Sequence, residues 1–299
     1  MLLKDFLAEG ISRLEPLYPT AEARNIILML CESRIGTKSY THLVEPEYAI
    51  EEKSLGPLQE DLERLSSGEP VQYVIGTADF CGLKFKVTSD VLIPRPETEL
   101  LCREAIKIGS RMQRMRKAYG NSYPVRILDL CTGSGCIAWT VALNIPGAVV
   151  VGTDISEKAL LVAMGQEFSS ILKENGALAP TFIIADLLKD ESSYGLGQFD
   201  LILSNPPYIL ESQKAQMRVN VLDFEPSSAL FVPDEDPLVF HRAVAKWSAS
   251  LLSPEGKGLT EINEVLGPQT RKLFLEAGFS NSETVKDFYG KNRFIFYSR

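Results

Sequence analysis

A glycine-rich loop constrains the fold of this chain more than any other feature of its sequence. The loop follows a short apolar segment at residues 125–130 and precedes a helical run at 138–143. Its residues are Cys131, Thr132, Gly133, Ser134 and Gly135. Small residues let a ligand approach the backbone, and the free amides at the start of the next helix attract an anionic group. The pattern predicts a strand, loop and helix that bind a cofactor carrying a carboxylate or a phosphate.

Apolar segments and helical patterns alternate through the rest of the chain. Further strands are predicted at 149–154, 181–184, 199–204, 258–262 and 293–297. Ser156 is a suitable N-cap for a helix that ends near Asn175 and Gly176. This alternation predicts an α/β fold with a mostly parallel sheet, helices on both faces, and an edge or antiparallel strand at the C-terminal end. Ligands bind such sheets at the carboxyl ends of the strands.

The hydrophobic period changes twice before the glycine loop. Apolar residues three and four apart predict a small helical domain over residues 1–75. Alternation over residues 80–87, followed by two nearby prolines, predicts a β-hairpin connector that covers 76–95. The domain that contains the glycine loop and the predicted sheet is expected to occupy residues 96–299.

Two cofactors fit the glycine loop. Asp154 ends the strand after the loop, about 20 residues beyond the glycines, where a carboxylate accepts ribose hydroxyls. Gly133, Gly135 and Ala138 have the spacing of a dinucleotide-binding loop, so a nicotinamide oxidoreductase is one alternative. Asp129 favours S-adenosylmethionine, because a carboxylate at the strand end repels a pyrophosphate but attracts the ammonium group of an amino acid.

Asn205, Pro206, Pro207 and Tyr208 follow the predicted strand at 199–204 and form a second candidate motif. The two prolines fix φ and lack N–H donors, which predicts a stiff corner with free backbone carbonyls. The Asn205 side-chain oxygen and the Pro206 carbonyl can accept both N–H protons of a planar amide or amine and so orient its lone pair. Tyr208 can pack against the substrate plane. The motif predicts methyl transfer to a planar nitrogen, with positioning as the main source of rate.

Charge and ligand content argue against several other functions. The net charge of -8 disfavours binding through phosphate contacts, although a DNA or RNA amino-methyltransferase is a second alternative. Five cysteines without a C-x-x-C pair and only two histidines predict no disulfide framework and no metal site. No apolar run approaches the roughly 18 residues of a membrane span, and the N-terminal residues lack a signal-peptide pattern, so a cytoplasmic location is expected. A non-enzymatic protein that keeps the cofactor as a structural ligand is a third alternative.

Several motifs together resemble the release factor glutamine N5-methyltransferases, and the likeness covers nearly the whole chain. They are Gly-Glu-Pro-Val-Gln-Tyr at 68–73, Ile-Pro-Arg-Pro-Glu-Thr-Glu at 93–99, Asn-Pro-Pro-Tyr at 205–208, Phe-Glu-Pro at 224–226 and Asp-Phe-Tyr-Gly-Lys-Asn-Arg at 287–293. The Asn-Pro-Pro-Tyr motif alone is shared with nucleic-acid and other protein amino-methyltransferases. The string at 93–99 and the Phe-Glu-Pro block are much more specific.

The resemblance implies a class I S-adenosylmethionine-dependent methyltransferase with a Rossmann-like sheet. It implies that the substrate is the glutamine of the Gly-Gly-Gln motif in a peptide chain release factor, which the N-terminal helical domain helps to recognise. A monomer is expected, with no nucleic acid and no membrane as partner.

The same resemblance assigns residues to the site. The cofactor is expected at Asp129, residues 131–135 and Asp154, with the adenine near Asp186 and Leu187. Asn205, Pro206, Pro207 and Tyr208 are expected to hold the glutamine amide, and Asn205 also borders the cofactor. Two residues depart from the family's pattern, because Cys131 and Asn263 stand where glycine is usual.

Overall fold

The computed structural model describes residues 1–287 and 289–299, so Phe288, in the stretch that resembles the family's closing turn, lies outside the described residues. The α-helices are α1 (Leu3–Leu14), α2 (Thr20–Ile35), α3 (Thr41–Val44), α4 (Glu52–Ser66), α5 (Val71–Ile75), α6 (Pro96–Ala118), α7 (Cys136–Asn144), α8 (Glu157–Met164), α9 (Ser169–Asn175), α10 (Val219–Phe224), α11 (Val239–Leu251) and α12 (Gly267–Glu276). The strands are β1 (Thr77–Phe80), β2 (Leu83–Lys86), β3 (Arg126–Leu130), β4 (Val149–Asp154), β5 (Thr181–Ile184), β6 (Phe199–Ser204), β7 (Ile209–Leu210), β8 (Phe231–Val232), β9 (Leu252–Glu261), β10 (Asn281–Lys286) and β11 (Asn292–Ser298).

The described residues form two compact units, of which the first is helical. It contains Met1–Thr77 together with Met217–Glu225. Its helices bury one apolar core, and α1 and α2 approach closely at Gly10, where an added Cβ would stand 2.8 Å from the Ile27 side chain. Glycine is therefore needed at this helix crossing, because a larger residue would push the two helices apart.

The helical unit includes a segment that the predicted domain boundaries did not. An ion pair between Arg218 and Glu22 joins Met217–Glu225 to α2. The two partners are 196 residues apart in the chain, so no local pattern indicates their contact. The predicted division at residues 75 and 95 stays a prediction, and the hairpin of β1 and β2 lies almost wholly in the second unit.

The second unit contains Ala78–Gln216 and Pro226–Arg299 and is built on a seven-stranded sheet with the order β10-β11-β9-β6-β3-β4-β5. Strands β9 to β5 are parallel, whereas β11 is antiparallel to β9 and β10 is antiparallel to β11. Successive residues of a strand point to opposite faces, so Ile127 packs in one apolar core and Leu128 in the other. The predicted α/β fold with a mostly parallel sheet is confirmed.

The sheet register gathers both candidate motifs at one place. Leu130 on β3 pairs with Thr153 on β4 and with Ser204 on β6, and Ser204 pairs with Thr260 on β9. The residues next along the chain are Cys131, Asp154, Asn205 and Glu261. The order of the strands reverses between β3 and β6, and open α/β sheets bind their ligands at such a point. These four residues therefore form a row along the carboxyl edge of the sheet.

The helix predicted from Ser156 to Gly176 is two helices, α8 and α9. Its ends are confirmed, because the Ser156 side chain caps α8 and Gly176 follows α9 with a φ of 60°. The interruption at residues 165–168 contains Gln166, whose side chain bonds to two other segments. The Gln166 side chain accepts from the Lys86 amide at 2.8 Å and donates to the Ser134 carbonyl at 3.1 Å. The Gln166 side chain thus joins the glycine loop to the hairpin of β1 and β2.

The C-terminal part of the sheet contains more strand than the sequence predicted. The closing strand β11 is antiparallel, as expected, but it is not an edge strand because β10 pairs with its outer side. Strand β10 was not predicted, since Asn281–Lys286 contains a single aliphatic residue and few other strand signals. Strand β9 also begins earlier than expected, at Leu252.

Candidate active site

The glycine loop is a tight turn with three residues in the left-handed region. Cys131, Gly133 and Gly135 have φ values of 60°, 54° and 78°. The Gly135 amide donates to the Thr132 carbonyl at 2.9 Å, and α7 begins at the next residue. An added Cβ on Gly133 would meet no atom within 4 Å, whereas one on Gly135 would stand 3.0 Å from Ala163. Gly135 is needed for packing, and Gly133 leaves room for a ligand to approach the backbone.

Asp129 is a fully buried carboxylate beneath this loop. One of its oxygens, Oδ2, accepts from the Thr132 hydroxyl at 2.6 Å and from the Ala138 amide at 3.1 Å. The other oxygen, Oδ1, is buried and has no hydrogen-bond partner among the described residues. Burial raises the pKa of Asp129 to about 7, although the two donors lower it. A buried acceptor without a donor is costly, so this oxygen fits a cationic ligand group such as an ammonium.

Asp154 connects the end of β4 to the loop. Its Oδ2 accepts from the Gly133 amide and its Oδ1 from the Ser156 amide, both at 2.9 Å. Burial raises the pKa of Asp154, while the backbone donors lower it. Each carboxylate oxygen has a second lone pair, so the residue can still accept ribose hydroxyls in the way that the sequence predicts.

The Asn-Pro-Pro-Tyr motif leaves the end of β6 directly beside the loop. The Ser204 hydroxyl donates to the Leu130 carbonyl at 3.0 Å, which joins the ends of β6 and β3. Asn205 is partly exposed, whereas Pro206 and Pro207 are buried. The Asn205 side chain uses its NH₂ group, which donates to the Thr98 hydroxyl at 3.2 Å. Its carbonyl oxygen is thereby left for another donor, as the predicted role requires.

Two buried residues that the sequence interpretation missed support this motif. Glu261, at the end of β9, accepts from the Thr98 hydroxyl at 2.7 Å and from the Tyr208 phenol at 2.8 Å. His241 lies behind it, and its Nε2 contacts the Glu261 carbonyl at 2.9 Å. Burial lowers the pKa of His241 to about 4, so the ring is neutral. Thr98, which bonds to Glu261, was also missed as a site residue. Its place in the specific motif at 93–99 was the available signal.

Asn263, one of the two departures from the family's pattern, has a clear structural role here. Its NH₂ group donates to the Tyr208 carbonyl at 3.1 Å and to the Gln213 side chain at 2.9 Å. Its oxygen accepts from the Val265 amide and caps the short helical turn that follows. The side chain holds the far end of the Asn-Pro-Pro-Tyr corner in place.

The residues predicted near the adenine lie at the same edge of the sheet, just beyond β5. The Asp186 amide donates to the Tyr194 phenol at 3.0 Å, and its side chain accepts from the Leu188 amide at 3.0 Å. Leu187 is buried and packs into the core, so we expect its backbone rather than its side chain to face a ligand. The Cys131 thiol also packs against this core, and burial with nearby Asp154 raises its pKa well above the usual value.

No group of three or more metal-ligating side chains lies close enough to hold a metal ion within residues 1–287 and 289–299. Over the same ranges, no helix has the length and apolar character that crossing a membrane requires.

Comparison with known proteins yields matches to both units. The family model described as the PrmC N-terminal domain matches residues 5–76, and the Methyltransferase small domain matches residues 99–223. A release factor glutamine methyltransferase of Bacteroides thetaiotaomicron is 36% identical, covering 96% of this chain and 96% of its own length. Another, of Flavobacterium psychrophilum, is 34% identical and covers 99% of this chain and 98% of its own length. Among solved structures, a methyltransferase of Pyrococcus furiosus is 14% identical with a TM-score of 0.45, covering 80% of this chain and 98% of that one.

Proposed function

The chain belongs to the release factor glutamine methyltransferases, and on that premise we propose that it methylates the side-chain N5 of the glutamine in the Gly-Gly-Gln motif of peptide chain release factors. The methyl donor is S-adenosylmethionine. The observation that supports this substrate most directly is similarity over nearly the full length of the relatives, with the helical unit included. In this proposal residues 1–75 help to recognise the release factor, and the protein works as a cytoplasmic monomer without nucleic acid.

The cofactor is held by groups at the ends of β3 and β4. Bound S-adenosylmethionine supplies the methyl group as an electrophilic carbon on a sulfonium sulfur. The Oδ1 of Asp129, which has no partner in the described part of the chain, attracts the ammonium, and Asp154 accepts from the ribose hydroxyls. Thr132, Gly133 and the other residues of the loop border the methionine part, where the open space above Gly133 allows close approach. Asp186 and the Leu187 backbone flank the adenine.

The substrate amide is held by the Asn-Pro-Pro-Tyr corner. The free oxygen of Asn205 and the carbonyl of Pro206 accept the two N–H protons of the glutamine side chain. This orients the nitrogen lone pair and favours the more pyramidal nitrogen of the transition state. Tyr208, whose phenol is held by Glu261, packs beside the amide plane. No strong base is needed, because the nitrogen becomes acidic once it carries a fourth substituent and releases its proton to water.

Methyl transfer with a labelled cofactor tests the proposal. The purified protein is incubated with a release factor, with the same factor carrying Ala in place of the loop glutamine, and with DNA and RNA, and modified sites are mapped by mass spectrometry. We expect label in the native release factor alone, on the glutamine of the Gly-Gly-Gln motif. Label in nucleic acid would instead support an amino-methyltransferase of DNA or RNA.

Binding measurements separate the remaining alternatives. Calorimetry should show that the protein binds S-adenosylmethionine and does not bind NADH, because the Asp129 carboxylate repels a pyrophosphate at the loop. Tight NADH binding would support an oxidoreductase. Binding of S-adenosylmethionine without turnover on any acceptor would indicate a protein that uses the cofactor only as a structural ligand.

A further inference from the structure

Glu261 accepts hydrogen bonds from the hydroxyl groups of two residues in different parts of the second unit. Thr98 on α6 donates to one carboxylate oxygen at 2.7 Å, and Tyr208 donates to the other at 2.8 Å. Thr98 and Glu261 are 1% and 3% exposed, so water does not compete for these bonds. Burial raises the pKa of Glu261, whereas its two hydroxyl donors lower it. Burial also raises the pKa of Tyr208 well above its ordinary value, so the phenol keeps its proton and donates it.

The single proton of the Thr98 hydroxyl sets the direction of the next hydrogen bond. Because this proton goes to Glu261, the Thr98 oxygen can act only as an acceptor towards Asn205. The Asn205 group that faces it at 3.2 Å is accordingly the NH₂ donor. The carbonyl oxygen of the same planar amide points to the other side, away from Thr98. An inverted amide would place two oxygen acceptors against each other.

We infer that Thr98 and Glu261 are positioning residues that hold the Asn205 carbonyl oxygen towards the substrate amide. The inference rests on the proposed function for the identity of that amide. The two ends of an asparagine amide have nearly the same shape, so packing alone does not distinguish them. Inversion would present the NH₂ group of Asn205 to the NH₂ group of the glutamine, donor against donor. The buried carboxylate, acting through one hydroxyl, therefore selects the orientation that accepts a substrate proton.

Thr98→Val tests this series of hydrogen bonds from Glu261 through Thr98 to Asn205, because valine keeps the shape of threonine and removes the hydroxyl. We expect kcat on the release factor to fall about 10- to 100-fold, since a misplaced acceptor costs rate of that order. The Kd for S-adenosylmethionine should change less than threefold, and the KM for the release factor should change little. Thr98→Ser restores the hydroxyl and should return kcat to within about threefold of wild type.

Two further variants distinguish positioning from general damage. Thr270→Val removes another fully buried hydroxyl, which donates to the Leu266 carbonyl within its own helical region, and it should leave kcat unchanged. Glu261→Gln weakens the preference for Asn205 as the donor to Thr98, because the NH₂ group of the new glutamine side chain can itself donate to the Thr98 oxygen. It should lower kcat as well, and the Thr98→Val, Glu261→Gln pair should lose less than the two single losses combined.

A spectroscopic measurement tests the orientation without any substrate. The side-chain NH₂ resonances of Asn205, identified by their loss in Asn205→Ala, should show one slowly exchanging proton in wild type and in Thr98→Ser. Thr98→Val should lose that protection. Unaltered exchange of the Asn205 NH₂ protons in Thr98→Val overturns the inference. So does a kcat of Thr98→Val within twofold of wild type, or a loss of cofactor affinity in that variant as large as its loss of kcat. If wild type methylates no release factor, the proposed function fails, while the exchange measurement still decides the orientation of Asn205.

Discussion

The Thr132 hydroxyl donates a 2.6 Å hydrogen bond to the Asp129 carboxylate, three residues earlier in the chain. This bond and the one from the Ala138 amide both go to one carboxylate oxygen, Oδ2, while the other oxygen, Oδ1, is buried without a hydrogen-bond partner among the described residues. The glycine loop therefore does two things at once. It leaves space for a ligand at Gly133, and it holds a buried carboxyl group whose second oxygen has no hydrogen-bond partner within residues 1–287 and 289–299.

The pH dependence of cofactor binding should report the ionisation of Asp129. Burial raises its pKa to about 7, so the carboxyl group is mostly neutral at pH 6 and mostly charged at pH 7.5. Only the charged form attracts an ammonium, whose own pKa lies near 8. We expect the affinity for S-adenosylmethionine, measured by calorimetry, to rise roughly five- to tenfold over this interval. Asp129→Asn should bind more weakly and show a flat profile, whereas a flat profile in wild type would refute the ammonium contact.

Cys131 should be less favourable at its position than the glycine usual in the family. Its φ of 60° lies in the left-handed region, where a side chain costs about 1–2 kcal/mol. Cys131→Gly should therefore be more stable than Cys131→Ala by about 1 kcal/mol, the reverse of the usual order at an ordinary position. Denaturant unfolding of the two variants measures this difference. Greater stability of the alanine variant would show that the strain is absorbed elsewhere.

Gly258 on β9 should tolerate no side chain. It pairs with Tyr297 on β11, and an added Cβ would lie 1.9 Å from the ring, which is itself buried and bonded to Ser248 at 2.8 Å. Gly258→Ala should lower the free energy of unfolding by about 3 kcal/mol or more, because the tightly packed ring cannot move away. Gly56→Ala is the control, since open space surrounds that position in α4. It should raise stability by about 0.5–1 kcal/mol. Thermal and denaturant unfolding measure both variants. The same change in stability for Gly258→Ala and Gly56→Ala would contradict this interpretation.

The sequence predicted the glycine loop and the strand ends because their signals are local. A short apolar segment, a small-residue turn and an acid at the next strand end lie within about 30 residues, and parallel strands bring such ends to one edge. The Asn-Pro-Pro-Tyr corner was predictable for the same reason. Its carbonyls and side-chain oxygen follow directly from the chemistry of proline and asparagine.

The support behind the corner was not predictable, because it depends on distant residues. The Thr98–Glu261 bond joins residues 163 apart, and the Asn205–Thr98 bond joins residues 107 apart. Gln166, in the helix break at residues 165–168, likewise bonds to Lys86, 80 residues away. Each of these contacts exists only once the sheet has formed, so periodicity and spacing carry no trace of them.

In the proposed mechanism, Asn205 positions the substrate amide and contributes much less to binding the cofactor. The most direct measurement compares Asn205→Ala with wild type in two assays, single-turnover methyl transfer to a release factor and calorimetric binding of S-adenosylmethionine. We predict that the transfer rate falls by about 100-fold or more, as expected for the loss of an aligned hydrogen-bonding group at the reacting atom, while the Kd changes less than threefold. Equal losses in both assays, or an unchanged transfer rate, would contradict the account.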